Sequence, residues 1–240
     1  MRIAVLSDIH SNLVALDAVL AHAGAVDAVW QLGDVVGYGP DPDGVVARLD
    51  GIGAVGVLGN HDAAALGGPE IDWFNPDARA AAAWTRDTIS ETTRAWLGAL
   101  PQVTEIDGVG LVHGSPRDPL REYVTDRHAA EDNLVELPSR LGLHGHTHIP
   151  VAWIAQDGRA TLWPARDGDV LAIDGRRALL NPGSVGQPRD GDPAASYAIL
   201  DPEADTMTWH RVACDIAAVQ AAMQAVGLPL RLIERLAVGR

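Results

Sequence analysis

The sequence predicts an α/β protein, a two-sheet β-sandwich with helices on its outer faces. Three features point there. Strand and helix patterns alternate from Arg2 to Leu58. Short strands separated by turns dominate from Val103 to about Arg211. No internal repeat or long linker divides the chain, so residues 1–240 are expected to form one domain, with a helical segment over about 215–240.

Arg2–Leu6 is a short apolar run ending in Ser-Asp, as a buried strand does at its carboxyl edge. Asn12 can cap a helix whose apolar positions are Leu13, Leu16, Val19 and Leu20. Ala28–Leu32 is a second strand, ending at Gly33-Asp34. Pro40-Asp41-Pro42 is a turn, followed by a short helix to about Leu49. Val55–Leu58 is a third strand, ending at Gly59-Asn60. Successive strands thus deliver polar residues at their carboxyl ends, the edge where open α/β sheets bind ligands. Asp77–Leu100 reads as two helices around Ser90, with Trp84 and Trp96 as core fillers. Val103–Ile106 and Val109–His113 read as a hairpin across Asp107-Gly108. Asp215 caps the last helical region, whose stripe of Leu230, Leu232, Ile233 and Leu236 is expected to pack on a sheet.

Composition excludes several function classes. The hydrophobic share of 47% and charged share of 21% are ordinary for a globular protein. No apolar run approaches the roughly 20 residues of a membrane span. One Arg followed by a strand that runs straight into polar residues is not a signal peptide, so a cytoplasmic location is expected. Net charge is −14, the basic residues are all Arg, and no basic stripe exists, which argues against broad nucleic-acid binding. Cys214, the single cysteine, rules out an intramolecular disulfide and a thiolate metal site, and reads as apolar filler.

Five short segments hold most of the histidines: Asp8-Ile9-His10, Gly33-Asp34, Gly59-Asn60-His61-Asp62, His113-Gly114 and Gly145-His146-Thr147-His148. Each lies at an expected strand end or in a Gly-bounded turn. Asp-x-His and His-x-His would each put two side chains on one face of an extended segment. Carboxylate, imidazole and amide oxygen together suit Mn, Fe, Zn or Co. More donors gather here than one four-ligand site needs, so two metals are implied, a clamp for displacement at phosphorus. Taken singly, His22, His128 and His210 read as hydrogen-bonded core residues, and His144 as packing beside the site.

The ordered set Asp-x-His, Gly-Asp, Gly-Asn-His-Asp, His, Gly-His-x-His resembles the signature of the calcineurin-like metallophosphoesterases, whose fold is a four-layer αββα sandwich. The Asn181-Pro-Gly-Ser-Val-Gly-Gln-Pro segment is similar to one in the small bacterial and archaeal phosphodiesterase branch. The resemblance implies two divalent transition-metal ions, Mn first and Fe, Zn, Co or Ni as alternatives. It implies that Asp8, His10 and His148 hold one metal, that Asn60, His113 and His146 hold the other, and that Asp34 bridges them. It further implies a hydroxide between the metals as nucleophile. His61 would stand beside the leaving oxygen as general acid or transition-state stabiliser, and Asp62 would hold the His61 ring and favour its protonated form.

Protein phosphatases of this superfamily carry an Arg after Gly-Asp and another before Gly-Asn-His, a forked clamp for a monoester dianion. Here Val35-Val36-Gly37-Tyr38 follows Asp34, and Val57-Leu58 precedes Gly59. The expected reaction is therefore hydrolysis of a small phosphodiester or nucleotide, with a nucleotide pyrophosphohydrolase, a phosphatase and a non-catalytic scaffold as alternatives. Arg117 and Arg189 are candidate replacements for the missing arginines. Asn12, Tyr38 and Asn181 are further candidates for substrate contact, Tyr38 being expected on an exposed, flexible turn. Oligomeric state is not encoded legibly.

Overall fold

A computed structural model describes residues 1–240, and it begins as the sequence does, with an apolar run that has nowhere to go but inward. The chain runs β1 (Ile3–Leu6), α1 (Leu13–Ala23), β2 (Ala28–Gln31), α2 (Pro42–Gly51), β3 (Val55–Gly56), α3 (Asn60–Ala65), α4 (Pro76–Thr88), α5 (Glu91–Gly98), β4 (Val103–Ile106), β5 (Val109–Val112), α6 (Arg127–Glu136), β6 (Leu141–Leu143), β7 (Val151–Gln156), β8 (Arg159–Pro164), β9 (Val170–Ala172), β10 (Ala178–Asn181), β11 (Ala195–Asp201), β12 (Thr206–Val212), α7 (Ile216–Ala225) and α8 (Leu230–Arg235). Two six-stranded sheets form, in the orders β3-β2-β1-β11-β12-β9 and β4-β5-β6-β10-β7-β8.

Strand alternation builds the layers. Ile3 and Val5 of β1 face the second sheet, where Leu111, Leu143, Ile154 and Leu180 meet them. Ala4 and Leu6 face the opposite way, onto Leu16 and Val19 of α1 and Val45 and Leu49 of α2. The outer face of the second sheet, through Trp153 and Leu179, is covered by Ala130 and Leu134 of α6. The result is helix, sheet, sheet, helix. Each fully buried Leu or Val contributes about 1.5–3 kcal/mol to holding these layers together.

The sheets are mixed, and their parallel parts decide where the site lies. β1, β2 and β3 are parallel neighbours. So are β5, β6 and β10. The carboxyl ends of both triplets open on one edge, so the turns after them share one volume.

Several boundaries differ from the sequence expectation. The third strand is only Val55–Gly56, and Asn60-His61-Asp62 starts α3 rather than lying in a turn. A helix that the sequence reading took for strands and turns, α6, starts at Asp126, whose carboxylate accepts the backbone N–H groups of His128 and Ala129. His128 is exposed on it, and His22 is exposed as well, hydrogen-bonded to Tyr197 at 2.8 Å. Neither is a core residue. Cys214 is half-buried against the core beneath α1 and α2. The C-terminal stripe does not form part of a sheet core. Leu232, Ile233 and Leu236 join Val219 and Met223 of α7, Ala78 and Ala81 of α4, and Tyr38 in a separate cluster. Leu230 is exposed. No helix is long and apolar enough to cross a membrane.

Candidate metal centre

Asp8, His10, Asp34, Asn60, His113, His146 and His148 are all buried at the shared edge. Local backbone sets their direction. Asp8, His10, Asp34, His146 and His148 have positive φ, between 51° and 64°. Asp-x-His and His-x-His are therefore not extended pairs on one strand face, as expected from sequence. These five residues sit in left-handed turns that aim their side chains inward, whereas Asn60 opens α3 and His113 follows β5. Such non-glycine conformations cost of order 1–3 kcal/mol each and persist where the surroundings enforce them. The enforcement here is visible: Asp8 and His10 donate their N–H groups to Gly33 and Asp34 carbonyls at 3.1 and 2.9 Å, tying the first turn to the second. Gly145 must lack a side chain, because a Cβ there would occupy the space of the Ser7 hydroxyl.

The donor atoms form two groups, Asp8–His10–Asp34–His148 and Asp34–His113–His146, that share Asp34. Asp34 Oδ2 lies 3.7 Å from His10 Nε2 and 3.3 Å from His113 Nε2. Asn60 Oδ1 adds an oxygen 2.9 Å from His113 Nε2. The outward nitrogens fix the ring orientation. Nδ1 of His10 meets the Val36 carbonyl at 3.2 Å, that of His113 the Leu32 carbonyl at 2.8 Å, and that of His148 the Gln187 carbonyl at 2.6 Å. With those N–H groups directed outward, each ring presents an Nε2 lone pair inward once it is neutral. Yet His10 Nε2 and His148 Nε2 stand 3.2 Å apart, and His113 Nε2 stands 3.0 Å from His146 Nδ1. Asp8 Oδ1 is buried with no hydrogen-bond partner. Facing lone pairs and an orphaned carboxylate oxygen are the arrangement that divalent cations satisfy, and a mixed His, carboxylate and amide set suits the later first-row ions and Mn. The residues fit two metals.

Electrostatics agree. Burial pushes the Asp8 and Asp34 carboxyls up, but the neighbouring imidazoles, His148 for Asp8 and His113 for Asp34, leave both lowered overall. Burial likewise pushes His113 down, but Asp34 outweighs it and holds the ring up at about 9. His10, His146 and His148 are lowered by burial, His146 to about 3. His144 is buried beside the site with neither ring nitrogen bonded, and burial lowers it to about 4.

His61 lies against the donors, its ring 4.3 Å from those of Tyr38 and Phe74 and 5.0 Å from His10. Burial takes its pKa down to about 4, so the ring is neutral in the metal-free protein. The expected Asp62–His61 contact is absent. Asp62 is the third residue of α3, and its carboxylate turns back to accept the N–H groups of Gly59 and Val36, each at 2.9 Å. His61 Nδ1 has no partner. Burial and the nearby Asp34 raise Asp62 to about 7 against those amide donors.

The other candidates divide. Tyr38 is buried, not on an exposed turn, wedged 4.6 Å from His10. The Arg189 guanidinium reaches its hydroxyl at 3.5 Å, and Arg189 Nε has no partner. Asn12 caps α1, its side chain accepting from the Ala15 N–H and donating to the Gly186 carbonyl. Asn181 is fully buried and clamps the histidine turn from behind, donating to Gly145 O at 2.8 Å and Thr147 Oγ1 at 3.1 Å. Arg117 is held by Glu122 and Asp132 on the flank of α6. Sequence reasoning missed Tyr123, whose ring stacks on His146 at 3.8 Å. No sequence pattern marks it. It also missed Arg231 and Arg235 of α8, for which the four-residue spacing opposite Leu232 and Ile233 was the available signal.

This fold and donor set are those of a recognised family. The calcineurin-like phosphoesterase superfamily domain is matched over residues 1–205, and the chain belongs to that superfamily and is a hydrolytic phosphoesterase. It is similar to the uncharacterized protein MJ0912 of Methanocaldococcus jannaschii, with 36% identity across 99% of this chain and 98% of the relative. It is 28% identical to phosphodiesterase YfcE of Escherichia coli strain K12, over 84% of this chain and 88% of YfcE. The crystal structure of a metallophosphoesterase from Sphaerobacter thermophilus superposes with a TM-score of 0.92 at 44% identity, covering 100% of this chain and 99% of that one.

Proposed function

We propose that the chain is a two-metal phosphodiesterase acting on small phosphodiesters or nucleotides. The observation that carries this reading is the pair of buried donor groups joined by Asp34. Asp8, His10 and His148 with Asp34 would hold one cation, and Asn60, His113 and His146 with Asp34 the other. Divalent cations held there would polarise the phosphoryl oxygens and supply an activated water for in-line displacement. The chain's own residues do the rest. The outward Nδ1 bonds of His10, His113 and His148 keep those rings in register. His61 can hydrogen-bond a phosphoryl or leaving-group oxygen, and its placement by Tyr38 and Phe74 makes that contact directional. Asp62 acts by closing the first turn of α3, which aims Asn60 and His61. Manganese is the ion we would load first, and a cytoplasmic setting suits it.

Diester preference is supported by the missing pair of monoester-clamping arginines and by the name carried by the YfcE relative. The test is hydrolysis of bis-p-nitrophenyl phosphate and of p-nitrophenyl phosphate, by metal-stripped protein and after manganese is restored, in wild type and His61→Ala. Metal-dependent diester cleavage that exceeds monoester cleavage, and falls about 100-fold or more in the variant, is expected. Faster monoester cleavage would replace the reading with a phosphatase. No turnover with any divalent ion would replace it with a scaffold.

A further inference from the structure

A cavity of about 610 Å³ opens beside the candidate metal centre and is unusually basic for so acidic a chain. Tyr38, Tyr123, Asp77, Arg189, Arg231 and Arg235 are among its lining residues. Two of these are shared with the centre: Tyr38 packs on His10 and His61, and Tyr123 stacks on His146. A ligand whose reacting phosphorus lies among the metal donors would therefore extend across these tyrosines towards the arginines.

No Asp or Glu side chain pairs with these arginines. Arg117, Arg140 and Arg211 elsewhere in the chain are each bound to carboxylates. Neither Arg189 nor Arg231 is paired with an Asp or Glu, and Arg235 contacts only a main-chain carboxyl oxygen of Arg240, the last residue. Asp77, the acid in the lining, is not paired with them. Arg235 is half-buried, and its Nε donates to that oxygen of the Arg240 main-chain carboxyl group, while its other guanidinium nitrogens make no hydrogen bond. Burial and the like charges of Arg189 and Arg231 lower its pKa. Three guanidinium groups on one wall, none paired with an Asp or Glu side chain, form a site suited to an anion. Forked guanidinium donors match the paired oxygens of phosphate and carboxylate groups, and the neighbouring phosphoesterase centre favours phosphate.

We infer that the substrate carries at least one phosphate besides the one cleaved, and that Arg231 and Arg235 of α8, together with Arg189, hold it. This rests on the phosphodiesterase reading and narrows it to polyphosphorylated small molecules of the nucleotide type. It also gives the C-terminal segment a role in recognition. Leu232 and Ile233 anchor α8 from its buried face, and the arginines project from the other side into the cavity.

The experiment uses the full chain loaded with manganese and two chromogenic diesters, thymidine 5′-(p-nitrophenyl phosphate) and the same compound phosphorylated at its 3′ hydroxyl. The kcat/KM ratio should favour the phosphorylated substrate by about tenfold or more, the range for charge-assisted hydrogen bonds. In Arg231→Gln/Arg235→Gln the ratio should fall towards one, and in Arg231→Lys/Arg235→Lys it should stay intermediate. Both substrates are measured on one preparation, so loss of folded enzyme cancels. A wild-type ratio near one, or a preference that survives the Gln substitutions, overturns the inference and leaves the phosphodiesterase reading standing. Failure to cleave either compound overturns both.

Discussion

Asn181→Ala tests whether the histidine turn is held from behind. The wild-type side chain makes three buried hydrogen bonds, to Gly145 O at 2.8 Å, to Thr147 Oγ1 at 3.1 Å, and from the Gly183 N–H at 2.8 Å. Truncation leaves the Gly183 N–H with no acceptor, a loss of about 1–3 kcal/mol. The other two partners keep one bond each, Gly145 O from Thr147 and Thr147 Oγ1 from Ile149, so their share is about 0.5 kcal/mol apiece. The total is about 3 kcal/mol, which for a chain of this size lowers Tm by about 6–12 °C. The assay is thermal unfolding of metal-free wild type and variant at one pH, followed by manganese titration of each at low temperature. Manganese affinity should also fall, because the loosened turn carries His146 and His148. A Tm within about 2 °C of wild type, with unchanged manganese affinity, would refute the clamp.

Gly37 has φ +89°, and a Cβ there would meet His61 Nδ1 at 2.7 Å. Gly37→Ala should therefore add about 1–2 kcal/mol of backbone strain, displace the His61 ring and cut diester turnover severalfold or more at unchanged metal content, with turnover and metal analysis as the readouts. His113 is held protonated up to about 9 by Asp34 in the metal-free protein, and a metal ligand must be neutral. Manganese affinity should thus rise as pH rises and level off near that value, with proton release at neutral pH seen as a buffer-dependent binding heat; identical heats in buffers of different ionisation enthalpy would contradict this. Arg117→Ala should leave manganese content and diester turnover near wild type, since Glu122 and Asp132 already occupy the guanidinium; a large loss of turnover would place it in the site after all.

The sequence by itself determined the fold class and the donor inventory. Apolar runs such as Ile3–Leu6, followed by Ser-Asp, Gly-Asp or Gly-Asn, mark strands that cross a core and stop at a polar edge. The Asp107-Gly108 hairpin was equally legible, because both residues need the positive φ they adopt, 51° and 77°. Chemical identity also travels with sequence, so a count of His, Asp and Asn at strand ends indicated a metal site. Helix α6 was obscured by its polar surface, since only Ala130 and Leu134 among its apolar positions carry the core contact. What the tertiary structure decided was orientation. Left-handed turns at Asp8 and His148 are enforced by hydrogen bonds to Gly33 and Gln187, residues 25 and 39 positions away. Asp62 bonds to the backbone of Val36 instead of to its neighbour His61, and Arg117 faces acids while Arg189 and Arg235 face a cavity. These outcomes depend on which distant group competes for each donor or acceptor, and that competition exists only once the two sheets have packed.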